Sequence, residues 1–326
     1  MKRGRPQKSR TSGMVRVKVA RLLLQEGGHM SSREHNSVVV GVEGSDTAST
    51  ALREAAKIAA QRELRLDIIH ALDFAPYGFG GPYVDAGGVY EWVEEAGKAI
   101  LAEAEQFARE IDPKLEVHTE IAIGSATQWL IESSAQARRV VVGASASGKA
   151  ATAVLGNTAV GVASHGKCPV IVVRDRDGAV PSEGPVVVGV DGSALSAQAV
   201  GAAFEEASFR GVELVALHVW SDLGSAAFED PRAAALAPQS LEEEEHAVLS
   251  ESLAGWSEQY PDVKVRREVY LDNPRGRLLD WSAKAQLVVV GSRGRGGFRG
   301  MLLGSTSNTL IASAKCPVMV VRPEES

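Results

Sequence analysis

The sequence predicts an α/β protein made of two tandem, doubly wound domains, each with a five-stranded parallel sheet. Three observations carry this. Short β-branched runs, such as Val38-Val39-Val40 and Val186-Val187-Val188, alternate with amphipathic helical stretches. That is the pattern of strands covered on both faces by crossover helices. The pattern then recurs at one constant offset of 148 residues. Gly41 pairs with Gly189, Gly44 with Gly192, His70 with His218, Gly143 with Gly291, Gly156 with Gly304 and Cys168 with Cys316. This offset far exceeds the ~20–50-residue period of solenoid repeats and marks duplication of a whole domain. Finally, 326 residues exceed one domain's usual share.

In chain order, residues 1–36 show no sustained periodicity and read as a basic, disordered tail or an over-extended start. Met30-Ser-Ser-Arg-Glu is an alternative beginning. Residues 37–175 form the first unit. Ser37–Val42 reads as a strand, and Ser45 or Asp46 can cap a helix from Thr47 to Arg62. Leu64–Leu72 is the second strand, and the Gly/Pro/Tyr-rich stretch Asp73–Gly88 is a loop. Val89–Ile111 is helical, Leu115–Ile123 a strand, Ala126–Ala137 a helix and Arg139–Gly143 the fourth strand. Val154–Ser164 is helical, and Pro169–Val173 closes the unit. Residues 176–184 are a linker, and 185–323 repeat the order.

The stretch richest in chemical meaning runs from Gly291 to Ser305. A buried strand, Leu287–Val290, leads into a glycine-rich loop, and Ser305-Thr306-Ser307 opens a helix. This order presents backbone N–H groups at a positive helix end, which suits an anion such as phosphate. Ser305 is read as the cap residue. The glycine spacing, Gly291-x2-Gly294-x9-Gly304-Ser305, resembles the nucleotide-binding signature of the universal stress protein family. Val186–Ser193 resembles that family's opening strand and turn, Leu214–Val219 its second strand, and Cys316–Val321 its closing strand. The resemblance covers about residues 185–323 and, less fully, 37–175.

The resemblance implies the adenine nucleotide alpha hydrolase-like version of the doubly wound fold, and binding of ATP or another adenine nucleotide, with or without magnesium. It implies that Asp191, beside Val190, lies at the ribose and metal side, and that Val219 flanks the adenine. Val290, Gly291, Gly294, Gly304, Ser305, Thr306 and Ser307 would follow ribose and phosphates. In the first copy the corresponding, weaker set is Glu43, Ala71, Gly143, Gly156, Asn157 and Thr158. There Ala146 replaces the middle glycine, Asn157 replaces the serine and Glu43 the aspartate, while Lys149 could restore some attraction for phosphate. If position 146, the counterpart of 294, needs a left-handed backbone or close phosphate approach, its alanine is costly. The second copy is therefore expected to carry the main site. In the resembled family the closing strands pair across a twofold axis, which implies an internal pseudo-dimer; association of two chains is a further expectation.

Other signals point elsewhere. Gly161-x4-Gly166-Lys167-Cys168 imitates a P-loop but ends in cysteine and follows a helix, so it is rejected. His70 and His218, inside apolar strands, read as satisfied core or sheet-end histidines. Glu242–Glu245 reads as the solvated start of a helix. Cys168 and Cys316 read as packing residues, consistent with a reducing, cytoplasmic setting.

The first 29 residues carry eight Lys/Arg and only Glu26 as an acid, a charge of +7 that leaves −13 on the rest. An acidic body argues against nucleic-acid binding by the folded part. Only Lys2-Arg3-Gly4-Arg5-Pro6 resembles a minor-groove DNA-binding hook. No apolar run approaches the ~20 residues of a membrane span. The function expected is that of an ATP-binding stress-response sensor or regulator, without catalytic residues or a metal centre of its own. The rival is an ATP-using adenylating or pyrophosphate-releasing enzyme on a related fold. Such enzymes carry a Ser-Gly-Gly-x-Asp-Ser loop, whereas this chain has Gly189-Val190-Asp191-Gly192-Ser193.

Overall fold

The computed structural model describes residues 16–18, 36–72, 86–144, 155–174, 180–220, 239–271, 273–295 and 302–323. The first copy contains β2 (Ser37–Gly41), α1 (Asp46–Gln61), β3 (Arg65–Leu72), α2 (Ala86–Ile111), β4 (Val117–Ile123), α3 (Ala126–Ser134), β5 (Arg139–Gly143), α4 (Asn157–His165) and β6 (Val170–Val173). The second contains β7 (Val186–Val190), α5 (Ala194–Arg210), β8 (Leu214–Trp220), α6 (Gln239–Leu253), the single turn α7 (Trp256–Gln259), β9 (Val265–Leu271), α8 (Pro274–Ser282), β10 (Leu287–Gly291), α9 (Ser305–Ser313) and β11 (Val318–Val321). A three-residue strand, β1 (Arg16–Lys18), lies within the segment assigned to the tail and pairs in parallel with β4.

Within each copy the five strands are parallel, in the order β4-β3-β2-β5-β6 and β11-β10-β7-β8-β9. The two copies meet where β6 and β11 pair antiparallel, with Ile171 opposite Met319. The result is one eleven-stranded sheet. All four residues of β6 and of β11 are buried. One apolar layer packs α1, α2, α5 and α6 on one face, and a second packs α3, α4, α8 and α9 on the other. Both layers contain residues of both copies, so the core runs unbroken through the junction.

The helix starts follow local chemistry. Ser45 caps α1 by accepting from Ala48 N–H at 3.1 Å, and Ser193 caps α5 by accepting from Ser196 N–H at 3.2 Å. Gly211 closes α5 in the left-handed conformation, φ 64°. Several expected boundaries move; β4 begins at Val117 rather than Leu115 and α3 ends at Ser134 rather than Ala137. α2 begins at Ala86, inside the stretch read as loop, and α4 begins at Asn157 rather than Val154. The false P-loop falls at the end of α4, where Gly166 N–H bonds Val162 O at 2.7 Å.

Candidate nucleotide cleft

In each copy the strand order changes direction between the first and fourth strands. In the second copy these are β7 and β10, with β8 on the far side of β7. Crossovers from β7 and β10 leave on opposite faces, so a crevice opens beyond their C-terminal ends, the usual place for a ligand in such sheets. A cleft of about 730 Å³ lies there. It is lined by Val190 and Asp191 after β7, Val219 on β8, Val290 and Gly291 on β10, then Gly294, Gly304, Ser305, Thr306 and Ser307. These are the ten positions carried over from the sequence, brought together from four separate segments.

The loop after β10 is closed on itself. Ser292 N–H bonds Val321 O at 2.7 Å, and Gly304 N–H bonds Ser292 O at 2.7 Å. The loop thus returns to deliver α9 directly behind the strand. Gly304, not Ser305, occupies the cap position, and it offers no side chain to the helix. The first intrahelical bond runs from Asn308 N–H to Gly304 O, 2.9 Å. The N–H groups of Ser305, Thr306 and Ser307 therefore precede the helical ladder. The expected cap role of Ser305 is corrected: it is the first helical residue, so its hydroxyl makes no cap bond. Asn157 stands likewise inside α4, after the cap residue Gly156. Ser307 is 3% exposed and donates its hydroxyl to Gly291 O at 2.7 Å, tying helix to strand.

Asp191 joins the β7 turn to the loop after β10. Its Oδ1 accepts from Ser193 N–H (3.0 Å) and Ser193 Oγ–H (2.7 Å), and its Oδ2 accepts from Arg295 N–H (2.8 Å). Burial alone would raise its pKa. The hydrogen bonds from Ser193 and Arg295 outweigh that and hold the carboxyl below its usual value. A Cβ on Gly294 would lie 2.5 Å from Asp191 Oδ2. The glycine is thus needed for approach of this carboxylate, a reason distinct from the two expected, left-handed backbone and phosphate contact. Gly192 has φ +74°, and a Cβ there would meet Arg295 Nη2. Arg293 and Arg295 both line the cleft and bring positive charge to the loop end.

Two further groups escaped the sequence reading. His218 lines the cleft floor, 2% exposed, with Nδ1 2.7 Å from Val190 O. Its Nε2 lies 2.5 Å from Glu245 Oε2 on α6. The expectation that Glu242–Glu245 are simply solvated therefore fails at Glu245, whose side chain is 15% exposed. Nothing local marks this residue, because only the packing of α6 across β8 brings it to the histidine.

In the first copy, Glu43 accepts a hydrogen bond from the Ser45 hydroxyl. Gly143 closes β5 against α1, where a Cβ would meet Thr47 Cγ2 at 2.8 Å. Gly156 N–H bonds Ala144 O at 2.8 Å, repeating the loop closure. Ala71 packs among the apolar residues of one layer, and Thr158 Oγ1 lies 3.4 Å from Thr127 Oγ1. Ala146 and Lys149 lie outside the described residues. His70 repeats its partner's contact, with Nδ1 2.8 Å from Val42 O, so the structural reading of both histidines holds for Nδ1. Cys168 and Cys316 are buried, and burial pushes both thiols up to about 12.

Comparison with known proteins agrees with this architecture. The universal stress protein family profile matches residues 34–174 and again 184–322. Universal stress protein Rv2005c of Mycobacterium tuberculosis is 41% identical over 297 residues, covering 89% of this chain and 98% of the relative. Universal stress protein Rv2623 of the same species is 40% identical over 298 residues, covering 87% and 96%. A crystal structure of a universal stress protein from Archaeoglobus fulgidus aligns over 88% of this chain and 98% of its own, with TM-score 0.62 at 20% identity, a likeness of fold. With the family matched twice over nearly the whole folded length, the chain belongs to the universal stress protein family and carries two of its domains in tandem.

Proposed function

We propose that the second copy binds an adenine nucleotide, ATP foremost, and that the protein acts as a nucleotide-dependent sensor or regulator of the stress response. One observation carries the proposal. The uncapped N-terminus of α9, the closed glycine loop and two arginines converge on a single cleft at the switch point of the sheet. Three N–H groups at a positive helix end suit a polyphosphate. Val190 and Val219 at the ends of β7 and β8, with Leu278 of α8, give the cleft an apolar wall for a base. Asp191 is the carboxylate beside the loop. Its oxygens already accept three bonds from the protein, so magnesium would arrive held chiefly by the phosphates. The first copy is proposed to bind more weakly, since Glu43 and Ala146 replace the closely fitted Asp191 and Gly294.

Native mass spectrometry of the purified full chain tests this reading. Co-purified or titrated ATP that stays intact supports it. AMP accompanied by steady turnover would favour the ATP-using enzyme instead.

A further inference from the structure

We infer that Glu245, fixed by His218, is the group that selects the base of the ligand, by accepting a hydrogen bond from an amino or ring N–H group. The inference rests on the nucleotide reading above. His218 Nδ1 faces the carbonyl of Val190 at 2.7 Å. A carbonyl only accepts, so Nδ1 carries the hydrogen. Nε2 lies 2.5 Å from Glu245 Oε2 on the other side of the ring. One carboxylate oxygen is thereby locked, and Oε1 has no second partner among the described residues. A carboxylate placed in this way is an acceptor in the wall of the cleft.

Its place along the cleft fits the base rather than the phosphates. The strand order is β10-β7-β8, so β8 stands two strand spacings, roughly 10 Å, from the strand that carries the glycine loop. A nucleotide with its phosphates on α9 would lay its base over β8, where Val219 and Trp220 also line the cleft. The duplication supplies an internal control. Gly97 occupies the position of Glu245 in the first copy, and its Cβ position lies 2.9 Å from His70 Cδ2. His70 nonetheless keeps its bond to Val42 O. The histidine therefore serves the strands in both copies without an acid. The carboxylate belongs to the second copy alone and is not required to satisfy the histidine.

The test compares ATP with purine riboside triphosphate, which lacks the 6-amino group, by calorimetric titration of the full chain. Wild type should prefer ATP by about tenfold or more, the usual worth of a hydrogen bond to a charged group. In Glu245→Ala the preference should fall to within about twofold. A second measurement covers a variant that fails to fold: the amino nitrogen of 15N-labelled ATP should shift on saturation of the wild type. An unchanged preference in Glu245→Ala with ATP still bound, or an unshifted amino signal in the saturated wild-type complex, overturns this inference and leaves the nucleotide reading standing. Absence of ATP binding to the wild type overturns both.

Discussion

At the residue scale, the contact between Asp191 and Gly294 sets the strictest geometric demand in the cleft. Gly294→Ala puts a methyl 2.5 Å from Asp191 Oδ2, so the carboxylate must move and release Arg295 N–H. We expect a loss of about 1–3 kcal/mol in stability, the usual cost of overpacking, and at least about tenfold weaker ATP binding by calorimetry. ATP binding as tight as wild type would remove Gly294 from the site. Ser292 offers the opposite case. Its hydroxyl is buried without a partner among the described residues, and Ala144 stands there in the first copy. Ser292→Ala should be neutral or stabilising by up to about 1 kcal/mol in urea melts, because it deletes an unsatisfied group.

At the element scale, two helices of the second copy show how much depends on helix ends. α5 has its first turn satisfied by Ser193, whereas α9 starts on Gly304 and leaves its leading N–H groups to the cleft. The structural helix is capped and the site helix is not. Strand β1 extends the sheet beyond β4 by three residues only. A chain beginning at Met30 loses that strand and should still melt within a few degrees of the full chain, since short edge strands contribute little. A drop of about 10 °C or more would show that the tail docks firmly.

Across the whole molecule, the junction combines an apolar strand pair with buried charge. Arg62, at the end of α1, donates to Glu205 (2.7 Å) and Glu206 (2.6 Å) on α5. Arg138 and Arg139 also reach Glu205, while Arg210 bridges Glu206, Glu54 and Gln286. Burial would raise the Glu205 pKa, but Arg139, Arg138 and Arg62 bring it down to about 2. The folded value lies below the unfolded one, ~4.3. Its contribution is therefore complete above that unfolded value and is lost as the pH falls toward 2. Glu205→Gln should destabilise the chain at pH 7 by about 2–3 kcal/mol, since it strands buried guanidinium groups. It should also flatten the acid limb of the stability profile. An unaltered acid limb would show that this network does not couple the copies. Val172→Lys with Val320→Lys places two ammonium groups in the fully buried β6–β11 seam. We expect loss of native compactness by small-angle scattering.

The sequence by itself determined the duplication, the order of the main strands and helices and the parallel sheets. These are legible because β-branched runs, glycine spacing and the constant offset are local or periodic signals. What only tertiary structure decided involves distant partners. The reason for Gly294 is a carboxylate more than a hundred residues away. The cap of α9 fell on Gly304 because the loop returns to Ser292. Glu245 left the solvated face because α6 crosses β8 above His218, and no pattern within Glu242–Glu245 encodes that crossing. The charge network of the junction likewise draws on α1, β5 and α5, whose Arg and Glu residues meet only when both copies are packed together.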